Sequence, residues 1–210
     1  MKQWNLAQKI SDNKCENIST EILEDVSSPS IKIASYNLAK CEYDNFKIAL
    51  IDFEGSPIFL CGLLIHGKII TYYIEKYKFR NELYLTILEL LKKIQSYALF
   101  AFSDHERFEL LNLYRYLGVQ AQDISQYSFI ETFPIINLQK IQYESLAEAI
   151  FSLHINTTTS TTGDPLLRNS KLVDSLFATH QYQEIILHNR NCLINEYTLF
   201  QKRWLKNCLL

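Results

Sequence analysis

Ile48-Ala49-Leu50-Ile51-Asp52-Phe53-Glu54-Gly55-Ser56-Pro57 is an apolar run that closes on two acids and a turn. Lys47 to Phe53 reads as a short strand, and Gly55-Ser56-Pro57 ends it, since glycine and proline punctuate regular structure. Side chains alternate across a strand, so Ile48, Leu50, Asp52 and Glu54 share one face. Two apolar side chains on that face enter a core, and two carboxylates follow them at the strand's end. Like charges so close repel unless a cation lies between them or one is protonated. The pair therefore calls for a hard divalent ion, and Mg²⁺ or Mn²⁺ suit carboxylate oxygen best.

Two more apolar runs follow, Ile58 to Ile65 and Lys68 to Ile74, joined by His66-Gly67. Glycine supplies the positive φ of a tight hairpin, so the three runs (about 46–54, 58–66 and 68–75) are expected to form an antiparallel meander. Asn81 to Ser96 carries apolar residues at helical spacing, and Tyr97 to Phe102 reads as a buried strand. Ser103-Asp104 is a helix start, with His105 to Leu117 as the helix and Leu110, Leu111, Leu113 and Tyr114 inward. Phe129 to Pro134 reads as a strand and turn ending near an acid, Glu131. Glu144 to Phe151 reads as a helix, and Ile185 to Leu193 leads into a last one.

Acids at the end of the first strand of such a meander, in this order of elements, resemble the DEDD (DnaQ-like) 3′–5′ exonuclease superfamily, over roughly residues 45 to 204. The resemblance implies an α/β ribonuclease-H-like fold, a central mixed sheet (antiparallel meander plus parallel strands) flanked by helices. It also implies two Mg²⁺ or Mn²⁺ ions and cleavage of phosphodiester bonds from a single-stranded end of DNA or RNA. Asp52-Phe53-Glu54 matches the first motif. The second motif, an acid just after the fourth strand of the pattern, falls on Glu106 in Phe102-Ser103-Asp104-His105-Glu106, or on Glu109 in a competing alignment. His188-Asn189 aligns with the start of the third motif, whose histidine or tyrosine orients the attacking water; His188 is also a general base by its ordinary chemistry. The acid of that motif falls on Cys192, or on Asn191 with a shift of one. Neither is a hard anionic ligand, and Glu184 and Glu196 are the spare acids nearby. His105, Glu109, Asn189 and Arg190 flank these motifs as candidate substrate contacts. The substitution at the third motif keeps a second reading open: the same fold with impaired catalysis, serving as a nucleic-acid- or protein-binding module.

Composition bounds these readings. A chain of 210 residues, 48% hydrophobic, suffices for one substantial core, drawn here as a domain over 31–210 after a polar extension over 1–30. The net charge of −2 excludes a general polyanion binder, so nucleic acid needs local cations. Lys76, Lys78, Arg80, Arg190, Lys202, Arg203 and Lys206 are the candidates. Five cysteines (15, 41, 61, 192 and 208) lie far apart without a Cys-X-X-Cys, which speaks against a zinc knuckle or a disulfide framework and for a reducing, cytoplasmic setting. No run approaches a membrane span, and the start of the chain resembles no signal peptide. Residues 156–162 (NTTTSTT) form a low-complexity loop.

Overall fold

The computed structural model describes residues 23–25, 28–38, 47–120, 123–139, 145–153, 164, 166 and 169–202. The threonine-rich loop 156–162, His154, Arg203, Lys206 and Cys15, Cys41 and Cys208 lie outside the described residues.

The strand read from Lys47 onwards is β2 (Ile48–Glu54), buried along its whole length. Its neighbours are β3 (Leu60–Ile65) and, beyond that, β4 (Lys68–Tyr73), each antiparallel to the last. The hairpin joining β3 to β4 has positive φ at both His66 (48°) and Gly67 (69°). That is the two-residue turn whose twist matches the strands it joins. After β4 the chain crosses through α1 (Arg80–Lys93) and returns as β5 (Ala98–Ala101), parallel to β2. β6 (Ile135–Asn137) adds parallel to β5, and β1 (Lys32–Asn37) adds antiparallel to β4. The described strands thus make one mixed sheet in the order β1-β4-β3-β2-β5-β6.

Helices cover both faces because β2 and β3 are apolar on both. Ala49, Ile51 and Phe53 belong to one core with Leu83, Ile87 and Leu88 of α1 and with Leu110, Leu113 and Leu117 of α2 (His105–Val119). Ile48 and Leu50 belong to the other, with Ala149 and Ile150 of α3 (Leu146–Ser152) and with Leu193, Ile194 and Phe200 of the long C-terminal helix. In the chain the short α4 (Val173–Ala178) comes between α3 and the long helix and buries Val173 and Phe177 in the first core, and the long helix itself is α5 (Tyr182–Phe200). Each wholly buried leucine or isoleucine contributes about 1.5–3 kcal/mol, so the sheet is held mainly by these two layers. No helix among the described residues is long and apolar enough to cross a membrane.

Two readings of the sequence change. Phe129 to Pro134 is not a strand: Ser125–Glu131 is a 3₁₀ helix that buries Tyr127 and Ile130, three residues apart. That spacing fits the three-residue turn of a 3₁₀ helix and not the two-residue period of a strand. The strand begins only at Ile135, after Pro134, and Glu131 is exposed on the surface. β1 was hidden because it is an edge strand, mostly exposed, with no alternation strong enough to mark it. Within the polar extension, Leu23 is wholly buried and its carbonyl accepts the Tyr72 hydroxyl at 2.7 Å.

One position couples the sheet to α5. Asp52, Gly62 and Thr71 stand side by side across β2, β3 and β4. The missing side chain of Gly62 leaves a slot that Asn189 of α5 fills, so closely that a Cβ on residue 62 would lie 2.0 Å from Asn189 Oδ1 and 2.8 Å from Leu193 Cδ1. Gly62→Ala is expected to lower the unfolding free energy by about 1–3 kcal/mol, the usual cost of overpacking a core, read from urea midpoints. A variant as stable as the parent would show that Asn189 does not occupy the slot.

Candidate functional site

Asp52 and Glu54 reach the end of β2 on the face predicted for them, where the parallel strands β2 and β5 both end. Ligand sites of α/β sheets form at the carboxyl ends of such strands. From β5 the chain passes through Phe102 and Ser103 into the first turn of α2, which carries Glu106. Glu106 shares the inward face of α2 with Leu110, Leu113 and Leu117, at spacings of four, seven and eleven. That phase chooses between the two second-motif alignments: Glu106 is buried and lines the cavity, whereas Glu109 lies half-buried outside its lining. From the other side α5 presents His188, Cys192 and Glu196, four residues apart and so on one stripe of the helix. Asp52, Glu54, Glu106, His188, Cys192 and Glu196 together line a cavity of about 330 Å³, with the exposed His105 and Lys171 also on its wall.

Four of these side chains are carboxylates, and among the described residues no lysine or arginine forms an ion pair with any of them. Burial pushes the Asp52 carboxyl well above the usual range and the Glu106 charge adds to it, against the amide of Asn189 and a hydrogen bond with Glu54. Burial, then Asp52, Asp164 and Glu106, pushes Glu54 up in the same way. Glu196 is pushed up by burial and by Asp52 and Glu106, with the Phe102 backbone opposing. Its Oε2 is buried with no hydrogen-bond partner. Glu106 is raised by burial, a rise moderated by its own place at the helix start, by His105 and by Ser103, whose hydroxyl donates to it at 3.3 Å. Burial followed by the surrounding carboxylates raises the Cys192 thiol.

Two side chains hold this group in place. Asn189, wholly buried, donates from Nδ2 to Asp52 Oδ2 at 2.8 Å and towards the Asp52 carbonyl at 3.3 Å, while its Oδ1 accepts from Thr71 at 3.4 Å. Asn189, a candidate substrate contact in the sequence, is instead a buried positioning residue for Asp52. Asp164 faces His188, with Nδ1 and Oδ2 2.8 Å apart, and Asp164 Oδ1 accepts the Leu166 N–H at 3.0 Å. Burial alone would raise Asp164, but the His188 hydrogen bond and charge and the Leu166 N–H outweigh it and hold the carboxyl below its ordinary value.

The other candidates are placed as follows. Cys192 faces the cavity, as the spacing from His188 predicts. Asn191 is outside the lining, and its amide helps to hold the Asp164 carboxyl down. Arg190 also lies outside it, with its guanidinium 4.6 Å from the centre of the Tyr36 ring. Glu184 is exposed. Glu196, one turn beyond Cys192, supplies the fourth acid, and the register of four along α5 was the available signal for it. Asp164 carried no such signal, since it comes from a loop 24 residues before His188. The chain matches no known family model, no curated protein and no solved structure.

The raised carboxyls set the sign of a pH effect. Between its unfolded and its higher folded pKa each such acid binds more protons in the native state, so stability falls as pH rises through that interval. Asp164 acts oppositely, its contribution being lost only as pH falls through its lowered value. Without divalent ions, wild-type Tm is expected to drop on going from pH 5 to pH 8 more steeply than that of Asp52→Asn or Glu196→Gln, measured by thermal scans in matched buffers. Parallel curves for all three proteins would contradict the mutual repulsion.

Proposed function

We propose that the protein is a metal-dependent nuclease of the ribonuclease-H-like kind, acting on single-stranded nucleic acid from a 3′ end. The observation that carries this reading is the convergence of Asp52, Glu54, Glu106 and Glu196, from three separate elements, on one cavity, with no lysine or arginine paired to them among the described residues. Buried acids persist when paired with cations or coordinated to metals. The donors fit the ions: hard oxygens only, one of them the unpartnered Oε2 of Glu196. The antiparallel β2-β3-β4 meander, with β5 and β6 parallel beyond it, supports the same reading.

Asp52, Glu54, Glu106 and Glu196 are the residues to hold Mg²⁺ or Mn²⁺. The chemistry such ions supply when bound is activation of water and neutralisation of the leaving oxygen of a phosphodiester. Asn189 fixes the rotamer of Asp52, and Asp164 fixes the imidazole of His188. With Nδ1–H directed at Asp164, His188 Nε2 is free to take a proton from water as a general base. His105 and Lys171, exposed on the cavity wall, are the groups placed to meet substrate phosphate. The alternative, a binding module that has lost its chemistry, rests on the missing third-motif acid; against it counts Glu196, a fourth carboxylate lining the same cavity.

End-labelled single-stranded DNA and RNA are expected to be shortened from the 3′ end in Mn²⁺ or Mg²⁺ and left intact with chelator. Asp52→Asn and Glu196→Gln should each lower the rate by more than ~100-fold, and Asn189→Ala by ~10–100-fold, the range for partners that orient a ligand. Cleavage that survives chelator, or full activity in Asp52→Asn, would rule the assignment out.

A further inference from the structure

Cys192 and His188 add sulfur and nitrogen to a cavity otherwise built of oxygen. One donor atom each of Glu54, His188 and Cys192 lies within 4.8 Å of the other two. His188 Nε2 is 3.8 Å from Glu54 Oε1 and 3.7 Å from Cys192 Sγ. Oxygen and nitrogen ligands at ~2.0 Å and sulfur at ~2.3 Å around a tetrahedral Zn²⁺ stand about 3.3–3.6 Å apart. The two separations from Nε2 exceed these by only a few tenths of an ångström, and the Glu54 and Cys192 donors lie within 4.8 Å of each other. The sulfur is nearly equidistant from Nε2 and Nδ1, at 3.7 and 4.0 Å, so the thiol lies beside the ring and reaches an ion on Nε2 by turning about its own χ1.

The second observation is Asp164. A carboxylate 2.8 Å from Nδ1 accepts that nitrogen's proton, which leaves the Nε2 lone pair available to an ion beside Glu54. A carboxylate on one imidazole nitrogen and a metal on the other is the recurrent arrangement that orients histidine ligands of zinc. Glutamate oxygen, imidazole nitrogen and thiolate sulfur suit Zn²⁺ and its thiophilic neighbours, whereas Mg²⁺ avoids sulfur.

We propose that Glu54, His188 and Cys192 form a Zn²⁺ site with three protein ligands and an open fourth position facing the cavity, with Asp164 as the partner that fixes the imidazole. On binding, the thiol proton passes to solvent and the sulfur ligates as thiolate. The site shares Glu54 with the hard-metal group and occupies the Nε2 that would otherwise serve as a base, so it is an alternative loading of the cavity and does not depend on the nuclease reading.

The full chain, stripped of metal and kept reduced with a phosphine, is titrated with Co²⁺ as a spectroscopic stand-in for Zn²⁺. A thiolate-to-cobalt charge-transfer band is expected to saturate at one equivalent, to disappear on adding Zn²⁺ and to persist in a large excess of Mg²⁺. Cys192→Ser should abolish the band, and Asp164→Asn should weaken Co²⁺ binding by ~10–100-fold with the thiol intact. His188→Gln, which leaves every cysteine in place, should also weaken it at least ~10-fold, and serves if Cys192→Ser does not fold. No band in the wild type, an unchanged band in Cys192→Ser or unchanged titration in His188→Gln overturns the site. The spectrum requires no substrate, so cobalt binding without cleavage, or Mg²⁺-dependent cleavage without the band, tells the failure of one reading from that of the other.

Discussion

The buried hydrogen bond from Asn189 Nδ2 to Asp52 Oδ2, 2.8 Å long, ties the C-terminal end of β2 to the C-terminal helix. It forms only because Gly62 leaves the space beside Asp52 empty. Through it the rotamer of Asp52, the depth of α5 and the direction of the His188–Cys192–Glu196 stripe are fixed together. Changing any member of the Asp52–Gly62–Thr71 row alters the distance between sheet and helix, and with it the cavity. A site built on a strand and two helices in this way is more rigid than one built on loops.

The rest of the fold tolerates what this cavity costs. Burying several carboxylates side by side opposes folding through desolvation and repulsion. The two apolar layers on either side of β2 offset that cost, and their core side chains are buried from solvent. Conflict between local electrostatics and a well-packed surround is expected where a protein binds or reacts. Here the conflict is confined to one end of the sheet. The adjoining Asp164–His188 pair is hydrogen-bonded within itself, so it orients the imidazole, although the Asp164 charge adds to the repulsion on Glu54.

What could be read in advance was what depends on short-range pattern. The alternation in β2 put Asp52 and Glu54 on one face, His66-Gly67 marked the hairpin, and the helical phase of Leu110, Leu113 and Leu117 is the feature that selects Glu106 over Glu109. Glu196 was visible as an acid on the right helix, but its place in the cavity needed the register of α5 against β2, which Asn189 and Gly62 set. Those two lie on different elements, far apart in the chain, and a glycine in a strand does not announce what fills its gap. Asp164 and β1 were illegible for related reasons. The aspartate lies in a loop with no periodicity, and the edge strand buries too little apolar surface to impose an alternation. At Phe129 to Pro134 aromatic content favoured a strand, and the packing of Tyr127 and Ile130 three residues apart prevailed.

The central claim is that the carboxylates at the end of β2 are gathered to hold divalent ions. Crystals of the full chain grown with Mn²⁺ and measured near the manganese absorption edge test it most directly. Anomalous density in contact with Asp52, and with at least one of Glu54, Glu106 and Glu196, is the predicted result. Clear maps of the cavity with no anomalous peak at any of these carboxylates would contradict it.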